Sequence, residues 1–230
     1  RDVMNDFAFL ILSLLLFVPA IVVFGSRRDL RSVMIRVGVM SIPFAFTEFL
    51  FYPDYWEPKT LFDLVPRIGF GIEDVLFVTG LGAYTSTAYA YVLRRRIGPR
   101  DDKPTTFHRP VVGRVVVFVA VASLAFADVP MIYGAIGIMA VMTLVVVSFR
   151  RDLGRPALIG SVVVAITYTG ICLILGFVIP DVFALNWKTE QFLNVFFLGV
   201  PIEEILYAIA VGAIATGFYP FAFNHRFEPV

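Results

Sequence analysis

Charge is scarce in this chain. Of its 230 residues only 16% are Asp, Glu, Lys or Arg, against about a quarter in an ordinary soluble domain. Lysine is limited to Lys59, Lys103 and Lys188, and histidine to His108 and His225. The single cysteine, Cys172, lies in an apolar run, which excludes an internal disulfide and a cysteine metal cluster. No Gly-x-Gly-x-x-Gly follows a strand and there is no Walker loop, so no nucleotide cofactor bound in the usual way is expected. What abounds is apolar: 59% of residues are hydrophobic and 15% aromatic, with 24 phenylalanines. Mean hydropathy is +0.84. A water-soluble fold of this size cannot hide that much apolar surface, so lipid is the expected solvent. The apolar residues fall in long blocks and not in alternation, which argues against a membrane β-barrel. The same arithmetic excludes disorder, coiled coil and collagen.

Seven apolar blocks stand out, at 7–25, 33–52, 71–93, 111–127, 130–149, 156–179 and 193–219. Each is long enough for a spanning helix, which takes about 17–25 residues. The sequence therefore predicts one all-α membrane domain over 1–230, with seven helices, short loops and no sheet. The first block is too long and wrongly flanked for a cleaved signal peptide. Asp128 and Pro130 punctuate the tight connection from the fourth block to the fifth.

Basic residues set the orientation. Arg27, Arg28, Arg31, Arg36, Arg94, Arg95, Arg96, Arg100, Lys103, Arg109, Arg114, Arg150, Arg151, Arg155 and Arg226 fall in alternate loops, 15 of the 19 Lys and Arg. Arg1, Lys59, Arg67 and Lys188 fall on the other side. This places the N-terminus outside and the C-terminus in the cytoplasm of a multi-pass protein of the cell membrane.

The acidic residues do the reverse. Most lie at the outer side, and Glu48, Glu73, Asp74, Glu203 and Glu204 lie within or at the ends of apolar spans. A carboxylate there is costly and marks a functional site by default. The bland alternative is a cap on a helix N-terminus, where the dipole favours negative charge. Two acidic pairs in matching positions weaken that alternative. Gly69 to Phe77 reads Gly-Phe-Gly-Ile-Glu-Asp-Val-Leu-Phe, and Gly199 to Tyr207 reads Gly-Val-Pro-Ile-Glu-Glu-Ile-Leu-Tyr, at a constant offset of 130. Phe62/Phe192, Gly82/Gly212 and Ser86/Thr216 extend the match, and Trp56 echoes Trp187. Repeat one covers about 7–95, a connector helix about 111–127, and repeat two about 130–220. One intervening span restores orientation, so the repeats are expected to be parallel about an axis along the membrane normal. Glu73 and Glu203 are then expected to face one shared cavity.

Small residues after each pair (Gly82, Ser86, Ala90; Ala208, Gly212, Thr216) are read as helix packing. Tyr52, Tyr55, Trp56 and Trp187 are most simply an interfacial belt. Phe77, Tyr84, Phe196, Phe197 and Tyr207 surround the acids in sequence and are, with Trp56 and Trp187, the candidate lining of a pocket for a large apolar ligand.

Several chemistries are argued against by what is missing. A retinal protein needs a lysine in its last span, and all three lysines fall in loops. The CAAX-type intramembrane proteases follow their Glu-Glu with a basic residue and have histidines in later spans; here Tyr207 and Ala208 stand at that place and no span holds a histidine. That also removes the histidine-rich iron sites of membrane carotenoid oxygenases.

Gly71-Ile72-Glu73-Asp74-Val75-Leu76-Phe77 and Pro201-Ile202-Glu203-Glu204-Ile205-Leu206-Tyr207 resemble the Pro-x-Glu-Glu/Asp-x-Leu-Phe motifs of the lycopene cyclase domain family, the membrane-integral type found as two small subunits or one fused chain. The resemblance runs over nearly the whole chain, since the 3+1+3 plan matches two three-span halves joined by a linker. Gly71 departs from the motif's proline, and Asp74 stands in place of Glu. The resemblance implies cyclisation of a linear carotenoid such as lycopene to a β-type ring, an intramolecular lyase or isomerase reaction. It implies no cofactor, no metal and no nucleic acid, with the lipid bilayer and carotenoid-biosynthesis enzymes as surroundings. It makes Glu73, Asp74, Glu203, Glu204 and Glu48 the candidate catalytic groups.

The residues suit that chemistry. A proton added to the end double bond gives a tertiary cation, the next double bond closes the ring, and a proton leaves. Neighbouring buried carboxyls can supply acid and base, and aromatic faces can hold the cation without trapping it. Two other readings stay open on the sequence: a small-substrate transporter of 3+1+3 topology, and a carotenoid-binding protein without turnover.

Overall fold

The computed structural model describes residues 3–100 and 129–230. The expected connector helix at 111–127, with Lys103, His108, Arg109 and Arg114 beside it, lies outside the described residues.

The described chain is mostly helical. Helix α1 (Ala8–Ser26) is followed by a tight 3₁₀ turn and by α2 (Arg31–Ser41), which runs on as a 3₁₀ segment over Ile42–Leu50. Short α3 (Leu64–Ile68) leads into α4 (Ile72–Thr85) and α5 (Ala88–Val92), then strand β1 (Arg95–Pro99). The second half has α6 (Met131–Phe149), a 3₁₀ turn, α7 (Gly154–Val178), short α8 (Val182–Asn186) and strands β2 (Phe196–Phe197) and β3 (Val200–Pro201). It ends with α9 (Ile202–Ala222) and β4 (His225–Pro229). Helices α1, α2 and α4 pack together, as do α6, α7 and α9, and the two groups meet mainly through α1 and α5 against α7.

Among the described residues, five helices are long and apolar enough to cross a membrane: 5–26, 28–50, 131–149, 151–178 and 202–222. The expected third span, 71–93, is broken between α4 and α5, where the Ser86 and Thr87 hydroxyls bond back to Ala83 O. Such back-bonding competes with the helix ladder. The expected last span begins at Ile202 and not at 193. Asn194 and Leu198 adopt left-handed φ of 53° and 52°, and Gly199 has φ of 86°, so 193–201 is a loop holding a two-residue ladder. Expecting no sheet was also incorrect. Besides that ladder, β1 pairs antiparallel with β4 at the arginine-rich end. There the chain leaves its apolar runs, and polar segments 95–99 and 225–229 satisfy each other's backbone groups.

Two turns at this end share one device that the acid motifs did not signal. Arg27 clasps Asp29 at 2.7 Å and donates to Arg95 O, while Arg150 clasps Asp152 at 2.7 Å and donates to His225 O. Each arginine ties the turn after the first helix of its half to the segment that leaves the last.

Candidate active site

Both acid motifs open a helix at the opposite, acid-bearing end. Each is preceded by a left-handed glycine, Gly69 at φ 88° and Gly199 at φ 86°, a conformation that favours a residue without Cβ. The chain then extends through Gly71 or Pro201 and starts α4 or α9. Glu73, Asp74, Glu203, Glu204 and Glu48 are all buried, between 1% and 6% exposed.

The carboxyls divide by task. The first acid of each motif holds a loop. Glu73 Oε1 accepts Leu61 N at 2.6 Å, and Glu203 Oε1 accepts Tyr133 Oη at 2.7 Å and Leu193 N at 3.1 Å. The second acids differ: Asp74 turns back to the start of its own helix, and Glu204 faces the cavity. Asp74 accepts Gly71 N at 2.6 Å and lies within hydrogen-bonding reach of Glu48. Glu204 accepts from Tyr55 Oη at 2.6 Å, Trp187 Nε1 at 2.9 Å and Tyr168 Oη at 2.7 Å.

Between them is a cavity of about 80 Å³. Its walls are Phe44, Thr47, Glu48, Phe51, Tyr55, Trp56, Phe77, Val78, Ile132, Tyr168, Glu204 and Tyr207. Glu73 and Glu203 are not among its lining residues, so the shared cavity expected for them is bordered by Glu48 and Glu204 instead. The reason lies in helix geometry: successive residues in a first turn point about 100° apart, so one acid of a pair faces the loop when the other faces the bundle.

The aromatic expectations divide as well. Phe77, Tyr207 and Trp56 line the cavity, and Trp187 reaches it through Glu204. Tyr84 lies deeper, bonded to Thr167 at 2.7 Å. Phe196 and Phe197, which form β2, are 44% and 53% exposed and do not line the cavity. Tyr55, Trp56 and Trp187 are no interfacial belt: they are 6%, 8% and 4% exposed. Their loops pair through Glu57 N to Asn186 O and Lys188 N to Tyr55 O, which folds the three rings over the cavity. Burial, with the nearby Glu204 charge, pushes the Tyr55 phenol well above its usual range, so it remains a hydrogen donor.

Sequence reasoning missed Tyr133 and Tyr168. Each is a phenol in a nearly aliphatic span, and a buried hydroxyl needs a partner; that was the available signal.

No curated protein and no solved structure matches the chain. The lycopene cyclase family does match, over residues 130–222. That segment holds α6, α7 and α9 with Tyr133, Tyr168, Glu203 and Glu204, so the similarity to the lycopene cyclase family extends over the part of the chain, residues 130–222, that carries the second motif.

Proposed function

We propose that the protein is a carotenoid cyclase that closes a β-type ring on the end of a linear carotenoid such as lycopene. The observation that carries this reading is a half-open, aromatic-walled cavity bordered by Glu48 and Glu204, in a chain whose second half matches the lycopene cyclase family. A carboxyl of the set protonates the end double bond. The resulting tertiary cation is attacked by the next double bond, and the ring cation gives up a proton to a carboxylate. Carbon skeleton and electrons are conserved, so the step is an isomerisation. General acid–base catalysis of this kind contributes about 10²–10⁴-fold. Phe51, Trp56, Phe77 and Tyr207 line the cavity, and aromatic rings can stabilise the cation without trapping it.

The cavity is small, about 80 Å³. It suits the leading carbons of a chain end and not a long polyene. Phe44 lines it and is 63% exposed, so the remainder of the substrate lies outward along the apolar surface, in lipid.

The proposal includes two parallel three-span repeats with a seventh, connecting span, the N-terminus outside and the C-terminus cytoplasmic. The paired positions of Gly69 and Gly199 and of the Arg27 and Arg150 clasps support the repeat, and the crowding of arginines at one end supports the orientation. Glu73, Asp74 and Glu203 belong to the same site, the first and third through the loops they hold.

Expression in a lycopene-accumulating host, with pigments separated by chromatography, tests the reading. Cyclised products are expected with the wild-type chain and not with Glu204→Gln. Unchanged lycopene with a folded wild-type protein would refute it.

A further inference from the structure

The carboxyls that border the cavity meet it in different hydrogen-bonding states. Glu204 is surrounded by donors. Tyr55, Tyr168 and Trp187 reach its two oxygens at 2.6, 2.7 and 2.9 Å, and an indole N–H can only donate. Among the ion pairs of the described residues none includes Glu204. Its three hydrogen-bonding partners are neutral, so a charge there is solvated and left without a counter-ion. Glu48 is the opposite case. Its Oε1 is buried without a hydrogen-bonding partner, and the residue borders the cavity. Its other neighbours are the Trp56 indole, which can only donate, and the Asp74 carboxyl, and two carboxyls can hydrogen-bond only if one keeps a hydrogen. Asp74 already accepts Gly71 N in the first turn of α4, where the helix dipole favours negative charge. The hydrogen of the pair therefore belongs to Glu48.

We infer that Glu48, which shares a proton with Asp74, is the acid that protonates the carotenoid end, and that Glu204 stays ionised as the counter-charge to the cation. This rests on the cyclase reading for its substrate, while the proton positions rest on the surroundings of the carboxyls and not on that reading. The carboxyl torsion of a glutamate is soft, so half a turn carries the O–H from Asp74 to the cavity. The O–H bond breaks as a C–H bond forms on the end double bond, whose electron pair it uses, and the tertiary cation appears opposite Glu204. The next double bond donates its pair to form the ring bond. A ring C–H then returns its proton to the Glu48–Asp74 pair, its electrons become the new double bond, and the site is restored with no oxidant or reductant. Tyr55, Tyr168 and Trp187 are positioning residues for Glu204.

Infrared difference spectra of the purified protein, wild type minus variant, read the proton directly and need no turnover. The C=O band of a protonated carboxyl is expected to vanish in Glu48→Gln, to shift in Asp74→Asn and to persist in Glu204→Gln. The carboxylate band is expected to vanish in Glu204→Gln and to shift in Tyr168→Phe. A terminal tertiary ammonium on a polyprene, a stable mimic of the cation, is expected to bind about tenfold or more weakly to Glu204→Gln and with little change to Glu48→Gln. If the protonated band vanishes in Glu204→Gln and survives in Glu48→Gln, the assignment is overturned. If Glu48→Gln does not fold, an unshifted band in Asp74→Asn overturns it equally. A protein that gives the expected spectra and makes no ring retains the proton assignment and loses the cyclase reading.

Discussion

A single backbone N–H separates the two acid motifs. Gly71 offers one, and Asp74 is drawn back to cap it at 2.6 Å. Pro201 has none, and Glu204, three residues on, is free to reach Tyr55, Tyr168 and Trp187. The departure of the first motif from the family pattern thus bears on which acid is held at a helix end and which is given to the cavity. Losing one donor to a charged acceptor costs about 1.5–3 kcal/mol, so Tyr168→Phe is expected to lower ring formation roughly 10- to 100-fold, with the protein still folded. Glu203→Gln is expected to do less than Glu204→Gln. Its amide carbonyl still accepts from Tyr133 and Leu193, and Glu203 does not itself line the cavity; Phe192, next to Leu193, packs on Tyr55 at 5.3 Å. Pigment ratios from the two variants in one host decide the ranking; equal loss in both would give Glu203 a direct part in the chemistry.

At the level of elements, small residues set the helix spacing. A Cβ on Gly212 would meet Val164 Cβ at 2.7 Å and Ser161 Cα at 3.0 Å, and one on Gly160 would meet the Thr216 side chain. Helices α7 and α9 therefore approach closely where these glycines face each other, which carries Tyr168 to Glu204. Overpacking of this kind costs about 1–3 kcal/mol. Gly212→Ala is expected to lower the unfolding temperature in detergent and to weaken cyclisation. Gly170 on α7 has open space around it, so Gly170→Ala is the matched control, expected to hold or raise stability because alanine favours the helix. Similar losses in both variants would remove close approach as the cause.

The whole molecule has an acid-bearing end that holds the site and an arginine-rich end that ties the halves together. A membrane-impermeant thiol reagent is expected to label Glu190→Cys from outside and Arg151→Cys only after the membrane is opened; both positions are exposed, whereas Trp187 is too buried for such a probe. The reverse pattern would invert the orientation. At the arginine-rich end, hydrogen bonds from Arg226 and Arg96 hold the Glu228 carboxyl below its ordinary range. A folded-state value below the unfolded one, about 4.3 for glutamate, means that the pairing supports the fold above that pH. The support fades as pH falls through the lowered folded value. The protection of the Arg95–Pro99 amides, taken as exchange relative to the intrinsic rate at each pH, is therefore expected to fall in acid in the wild type and to be low already near neutrality in Glu228→Gln. Protection independent of both would leave the β1–β4 pairing to its backbone bonds alone.

The apolar helices and the burial of the acids were legible in the sequence, because both rest on local cost: apolar runs declare a lipid solvent, and a carboxyl inside such a run needs a reason. Helix ends were read less well. The break after Thr85 and the loop before Ile202 depend on hydroxyl back-bonding and left-handed residues inside stretches as apolar as a span. Which acid of each pair faces the cavity, and which tyrosines answer it, was decided only in three dimensions. Tyr55, Tyr168 and Trp187 come from one loop, one helix and a second loop, and no spacing in sequence relates them to Glu204. Their meeting depends on the pairing of the 55–57 and 186–188 segments and on the close approach of α7 to α9. A buried charge must find its donors wherever packing brings them, so the sequence by itself determined that such charges exist, and tertiary structure determined what they can do.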